Sequence, residues 1–532
     1  MATRSAAQPE TVAAGVIPAL TAVVFLVASW SHIASPFGDS DEGINGAVWA
    51  YNARSLREMG LFESRLGGRR LNGTAYATHP PLLVLTTALL ETIAGEREAV
   101  TRAPAWLASL AAIPLLFVLG RRAGFRPIAA AAGTAAACLT PMFFVYGLML
   151  DTPVTAFPFG VAVALLWYTE WNTDIGDEPE GSADANIGTA KTEAGKRDAT
   201  TGTGQSRSAR TPSPWLTAGL SFLACLASWQ AIFLVGLCTL SLVIRAARHD
   251  VRTLTRALPY GLGGAGGTLV ALAWTYWAHS GFDVLRDKLS RRTGSAGVSL
   301  LDVANFQIPW MAQLLGLTLI GLVAAVIAAV RDRRVRPIAT LGLVATFGYA
   351  AIFKEGAAGH QYWLYWELLP ATVGMSWVFD KVLQDVAARS SRPKPVIGAA
   401  IVACVSIGSY NLLKGNNAEP LITDGYAAVQ AVRSMPDTGR PLMYVGEEYR
   451  ADPYVVYYTG RSARFVASPE DLAELATTHP DEPVLVLGVC NETNPSYAFC
   501  VTATGEQVGE VARIPPRVIR ASELLHALGD TG

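Results

Sequence analysis

Long apolar runs recur along this chain, near residues 13–31, 103–120, 127–147, 152–171, 214–229, 230–246, 257–279, 308–330, 337–353, 362–380 and 395–413. Each approaches the roughly 18–20 residues that a helix needs to cross the hydrocarbon core. Lipid offers no partner for backbone N–H and C=O groups, so such runs must satisfy them internally as helices. The expected fold is an α-helical polytopic membrane protein with about 11 transmembrane helices. The break between the fifth and sixth runs, at Ser228-Trp229-Gln230, is the weakest. A further apolar helix, 80–94, is short and soon followed by charge, so it is expected to lie at the interface or re-enter. Only 16% of residues are charged and 51% are hydrophobic. Soluble domains carry about 25% charge, so a soluble enzyme is excluded.

Lysine and arginine orient the spans. One set of short loops holds Arg121, Arg122 and Arg126; Arg245, Arg248, Arg252 and Arg256; Arg331, Arg333, Arg334 and Arg336; and Lys381, Arg389, Arg392 and Lys394. The opposite set holds only Arg286, Lys288, Arg291, Arg292 and Lys354. The first set is read as cytoplasmic. The N-terminus is then on the cytoplasmic side of the cell membrane, and residues 32–102 and the C-terminal region are on the outer side. The first run reads as a retained span, because its cleavage site is poor and its flank has one arginine, Arg4.

Residues 172–213 carry almost no large apolar side chain and read as a disordered cytoplasmic loop. They separate an N-terminal module, 1–171, from the remaining spans, 214–413. Residues 414–532 alternate β-type runs (Pro441–Val445, Arg464–Ala467, Pro483–Val489) with helical stretches, which predicts a small extracytoplasmic α/β domain. The stretch Ser468-Pro469-Glu470-Asp471 there has capping-box spacing. A net charge of -1 supplies no basic field, so no nucleic-acid partner is expected. Of six cysteines, Cys138, Cys225, Cys238 and Cys404 lie in apolar runs and read as core residues. Cys490 and Cys500 lie where an oxidising compartment would let them pair. Gly261, Gly263, Gly264 and Gly266 match a dinucleotide-binding spacing, but inside an apolar span and after no strand. Gly263 and Gly267 read instead as close helix packing.

Five polar clusters then share one side of the membrane. They are Asp39 to Glu42 after the first span, His79-Pro80-Pro81, Arg102, Asp151, and Lys354-Glu355 through His360-Gln361-Tyr362. Each has a plain structural reading. Asp41 and Glu42 suit a helix start. Asp151-Thr152-Pro153 suits an N-cap. The prolines after His79 punctuate a helix. Arg102 suits snorkelling. His360 and Tyr362, with Trp363, Tyr365 and Trp366, suit an aromatic belt. Taken together, charged groups at membrane depth from distant parts of the chain point to one interfacial pocket.

In this order the clusters resemble the GT-C fold glycosyltransferases of the family 39 type, which includes protein O-mannosyltransferases and the aminoarabinose transferases of lipid A. The likeness covers residues 15–170 well and 337–380 more loosely. It rests on Asp41-Glu42, the helix 44–60, His79-Pro80-Pro81-Leu82, Arg102, Asp151 and the stretch from His360 to Pro370. Many relatives carry a lysine after the fifth span, where this chain reads Ala227-Ser228-Trp229-Gln230. Trp363 and Trp366 also replace the usual aliphatic or tyrosine residues.

The resemblance implies transfer of a sugar from a polyprenyl-phosphate donor to a glycan, lipid or protein acceptor on the outer face, with inversion. Sugar nucleotides are cytoplasmic, so an outward site needs a lipid-linked donor. One carboxylate must take the acceptor's proton, and Asp41 is the expected base. The leaving phosphate needs cationic stabilisation rather than an acid. His79, Arg102, Lys354 and His360 are candidates, with Tyr362 lining the same pocket. Glu42 and Asp151 are candidates to orient Asp41 or to bind acceptor hydroxyls. A divalent metal is the alternative source of that cationic stabilisation, with Asp41, Glu42 and Asp151 as candidates to hold it. The other classes weighed are a lipid-linked glycan or small-solute transporter and a non-catalytic membrane scaffold. A transporter would need ionisable residues near the midplane and internal repeats, and the sequence shows neither.

Overall fold

The structure is a computed structural model. It describes residues 9–38, 40–173, 212–248, 251, 253–295, 297–389, 439–445, 452–460, 463–466, 469–486, 489–490, 512–513 and 517–529. The expected span 395–413, most of the loop 172–213, Cys404, Cys500, Asp39 and Ser468 lie outside the described residues.

Helix α1 (Pro9–Ile33) leads to α2 (Asp41–Glu63), α3 (Leu82–Ala94) and α4 (Glu98–Arg122). Then come α5 (Pro127–Cys138), α6 (Pro141–Tyr146), α7 (Thr152–Thr173), α8 (Pro214–Ala227), α9 (Trp229–Arg248) and α10 (Thr253–His279). The second half holds α11 (Asp283–Ser290), α12 (Leu300–Leu315), α13 (Leu319–Arg331), α14 (Arg336–Leu343), α15 (Tyr349–Ile352), α16 (Lys354–Gly359) and α17 (Leu368–Arg389). The protein is a multi-pass membrane protein, with five helical stretches among the described residues long and apolar enough to cross alone. Leucines and valines on these helices, such as Val27, Leu262, Leu269 and Val330, stay exposed, as a lipid-facing surface requires.

The expected third span, 127–147, is broken into α5 and α6. Thr140 leaves the helix in an extended conformation and its hydroxyl accepts from Phe143 N (3.3 Å), while Pro141 starts a new turn. Helix α3 has 13 residues, about 20 Å, and is too short to cross by itself. The two glycines expected to pack closely do so. A Cβ on Gly263 would sit 2.2 Å from Ala218 O, and one on Gly267 2.5 Å from Phe222 O. Cys138, Cys225 and Cys238 are buried and free.

Near the C-terminus a four-stranded sheet has the order β2-β1-β3-β6. Its strands are β1 (Leu442–Val445), β2 (Ala463–Phe465), β3 (Pro483–Val486) and β6 (Arg517–Arg520). Strand β1 runs parallel to β2 and β3, and β6 closes the edge antiparallel to β3. A second ladder pairs β4 (Val489–Cys490) with β5 (Ala512–Arg513). Alternation along the strands sends side chains to two faces. Met443 and Val484 pack under α19 (Pro469–Thr478) and α20 (Ala521–Gly529). Leu442, Tyr444 and Leu485 meet α18 (Asp452–Thr459), which shares a core with Phe37 and with Ala47, Ala50 and Tyr51 of α2. The α/β unit is thus packed directly on the helix that opens with the acidic pair.

Candidate active site

The two ends of the helical bundle differ. At one end Arg126, Arg334 and Asp380 come together: Asp380 Oδ1 accepts from Arg126 N (3.1 Å), and Arg334 pairs with Asp380 (3.7 Å). The other end, where α2 and α3 lie, holds the acidic pair, His79, Asp151 and His360.

Ser40 starts α2, its hydroxyl accepting from Gly43 N (3.0 Å). This puts Asp41 and Glu42 in the first turn, where the helix dipole favours them. Glu42 is then fully engaged. Arg102 donates from Nε to Oε1 (2.5 Å) and from Nη2 to Oε2 (3.0 Å). Its remaining nitrogen, Nη1, donates to Ile33 O (3.1 Å) and Ser35 O. The guanidinium also lies 4.4 Å from the centre of the Phe37 ring. Arg102 does not snorkel; it is buried and braces the loop between α1 and α2.

Asp151 is both an N-cap and part of a cavity. Its Oδ1 accepts from Thr152 N (2.7 Å) at the mouth of α7. It faces a polar cavity of about 160 Å³ whose wall also includes Asn45, Tyr76, His79, His360 and Tyr362. Burial pushes the Asp151 carboxyl up to about 6, and the charge of Asp41 adds to this. Burial, then Lys288, Arg292 and His360, hold His79 well below the ordinary imidazole range, so it is neutral at pH 7. Asn45, one turn along α2 from Asp41, donates to Asp41 O (2.9 Å) and to Tyr362 Oη (3.4 Å). His360 stacks on Trp363 with centroids 6.1 Å apart.

Four of the expected residues therefore meet at one cavity: His79, Asp151, His360 and Tyr362. Asp41 sits beside it, in the helix that contributes Asn45. Glu42, Arg102 and Lys354, expected among the site residues, stand off the cavity wall. For Glu42 and Arg102 the reason is their mutual pairing. Lys354 lies instead against Gly294, where a Cβ would meet its Nζ at 3.7 Å. Asp41, Glu42 and Asp151 do not gather as a three-residue metal-binding group among the described residues. Both oxygens of Glu42 are taken, and among the described residues no three His, Cys, Asp or Glu side chains gather closely enough to hold an ion.

The cations on the wall come from a segment without a readable motif. Lys288 of α11 donates to Thr78 Oγ1 (3.2 Å) and lies 5.3 Å over the Tyr76 ring. Burial, then Arg292 and Arg291, lower it to about 8. Arg292, in the π-helical turn Arg291–Ser295, lies 4.8 Å over the Trp363 ring and 3.7 Å from Glu355. Its Nη1 is buried without a hydrogen-bond partner in the protein, and so are Gln230 Nε2 and Trp363 Nε1. All three residues line the cavity. Unpaired buried donors are costly, so this wall has capacity for an acceptor-rich ligand. Gln230 follows the break between α8 and α9, where Ser228 is extended (φ −159°, ψ 146°). Ser228, Trp229 and Gln230 of this break line the cavity, and Gln230 brings an amide to its wall.

Beside the polar cavity runs an apolar groove of about 340 Å³, with Ile232, Phe233, Leu272, Leu285, Leu289 and Phe353 among its lining. The two share His79, Trp229, Lys288, Arg292, Tyr349 and Trp363 as a common wall.

No family model and no curated protein matches the chain. Solved structures do. ArnT from Cupriavidus metallidurans, bound to undecaprenyl phosphate, superposes with a TM-score of 0.57 at 15% identity, covering 94% of this chain and 97% of that one. The archaeal oligosaccharyltransferase AglB from Archaeoglobus fulgidus, in complex with an inhibitory peptide and a dolichol-phosphate, gives 0.54 at 11% identity, covering 89% of this chain and 69% of that one. The chain has the GT-C fold. This likeness reaches the fold and no further; the narrower family 39 type gains no support from it.

Proposed function

We propose that this GT-C protein transfers a sugar from a polyprenyl-phosphate donor to an acceptor hydroxyl at the outer face of the membrane, inverting the anomeric carbon. One observation carries the reading: a cavity with two cations and three unpartnered donors shares a wall with an apolar groove. A phosphate joined to a long hydrocarbon needs this combination. The similarity to two proteins bound to undecaprenyl phosphate and dolichol-phosphate supports it. The lysine and arginine distribution supports the outward orientation.

In this reading the lipid phosphate lies against Lys288, Arg292 and the Gln230 amide, with neutral His79 beside it. The tail follows the groove between α9, α10 and α11. The acceptor oxygen attacks the anomeric carbon, the bond from that carbon to the phosphate oxygen breaks, and the acceptor proton passes to Asp41. The charge returning to the phosphate meets Lys288 and Arg292, so no general acid is needed. Asp151 and Tyr362 hold hydroxyls of the sugar or the acceptor. One base, with no second carboxylate acting as nucleophile, suits inversion.

The test is incubation of the purified protein with a panel of polyprenyl-phosphate sugars, reading released lipid phosphate. Release with at least one donor, dependent on an added acceptor, is expected. Movement of lipid-linked sugar across a liposome membrane without any release would favour the transporter class instead.

A further inference from the structure

We propose that Tyr458, on α18 of the C-terminal α/β unit, is a positioning residue for the transferase site. Its hydroxyl holds the loop that sets the first turn of α2, and so the orientation of Asp41. This rests on the transferase reading above.

The connection is short and continuous. Tyr458 Oη accepts from the backbone N–H of Phe37 (2.8 Å) and donates to Glu98 Oε1 at the start of α4 (2.9 Å). The Phe37 ring is fully buried, edge-on to Tyr457 at 5.3 Å between centroids and under the Arg102 guanidinium at 4.4 Å. Arg102 in turn grips Glu42, the neighbour of Asp41.

The loop has no slack against α2. A Cβ on Gly46 would come within 2.3 Å of Phe37 Cε1, and one on Gly43 within 2.4 Å of Gly38 N. Two glycines in the first turns of α2 thus let residues 37 and 38 lie directly on the helix. A shift of Phe37 must therefore move the start of α2 or the Arg102 brace, and either moves Asp41.

The second anchor fixes α18 itself. Arg54 donates from Nη1 to Tyr457 O (2.6 Å) and lies 4.5 Å over the Tyr457 ring, while also pairing with Glu96. Helix α18 thus packs along the middle of α2, from Ala47 to Arg54. Asn45 and Trp49 look from another face towards Tyr362 and His79. The C-terminal unit is placed as the outer wall of the catalytic helix rather than as an appendage.

The donor wall depends on other elements: Lys288 on Thr78 and Arg292 on Trp363. Loss of the Tyr458 hydroxyl should therefore change turnover and leave donor affinity alone. Reactive geometry is sensitive to displacements of about 1 Å. In the full-length protein, Tyr458→Phe is expected to lower kcat by about tenfold or more with KM for the lipid donor unchanged. Glu98→Gln, which keeps an acceptor for the hydroxyl, should stay near wild type, and Glu98→Ala should fall towards Tyr458→Phe. Amide exchange should rise across residues 33–44 in Tyr458→Phe and not across 285–293. Wild-type kcat and exchange in Tyr458→Phe would overturn the proposal. So would a loss in kcat matched by an equal loss in donor binding, which a general loosening would give. A wild-type protein inert to every donor would sink the transferase reading, and the exchange measurement would still decide the anchoring.

Discussion

Replacing Lys288 by Met tests the donor site most directly. The substitution keeps an unbranched stem against the groove and removes one charge. A cation about 4 Å from a phosphate oxygen is worth about 4 kcal/mol at an effective dielectric of about 20. Desolvation takes back part of this, and a charge-assisted hydrogen bond leaves a net of about 1.5–3 kcal/mol. Affinity for a polyprenyl phosphate should therefore fall about 10- to 150-fold. Trp229 and Trp363 lie on the shared wall, so quenching of tryptophan fluorescence reports binding. Lys381→Met, which removes a charge over Trp377 away from the site, is the control and should bind as wild type.

The same lysine supplies a pH signature. Burial and the neighbouring arginines bring it to about 8, so it is charged below that pH and neutral above it. The ratio kcat/KM, which follows the free protein, should fall as pH rises through about 8. Lys288→Arg should remove that limb, because a guanidinium stays charged. A Lys288→Met protein that binds lipid phosphate within about twofold of wild type, where the net interaction above demands at least tenfold, would refute the placement of the phosphate.

Other substitutions probe the acidic groups. Asp41→Asn is expected to abolish transfer without loss of membrane expression, and near wild-type turnover would remove Asp41 from the mechanism. Asp151 is neutral below about 6 and ionised above, so turnover that uses its carboxylate should drop as pH falls through about 6, and Asp151→Asn should flatten that limb in a pH–rate profile from 5 to 8. Arg102→Met leaves Glu42 buried and unpaired, at a cost of about 3–5 kcal/mol in thermal unfolding. Pairing it with Glu42→Gln should recover part of that loss, and a double variant less stable than the single one would contradict the brace.

The membrane character was readable because lipid imposes one rule on every span. Apolar runs therefore map onto helices, and Asp151, His79, His360 and Tyr362 stood out as polar side chains at the ends of those runs. The breaks were harder. The Leu139-Thr140-Pro141 break sits inside a run whose average hydropathy hides a change of direction. Lys288 and Arg292 were unreadable as site residues, because they lie in a short charged helix that only tertiary folding carries over Tyr76 and Trp363. Arg102 reads from the sequence as a phosphate ligand, but its guanidinium is taken by Glu42. Glu42 lies 60 residues away in sequence, and no spacing rule links them. Strands β1, β2 and β3 of the α/β unit are legible from their β-type runs, whereas β5 and β6 carry no such signal. The docking of α18 on α2 is not legible, since an apolar face does not name what covers it.

The single extended residue between α8 and α9 has a consequence for how thoroughly the site can be disarmed. Ser228 ends one helix and lets the next begin at Trp229, so the amino-terminal pole of α9 opens at the cavity. That pole carries about half a positive charge, built from main-chain dipoles that mutagenesis cannot delete. Stripping both Lys288 and Arg292 should thus leave a weak attraction for anions that salt screens and no side-chain exchange abolishes.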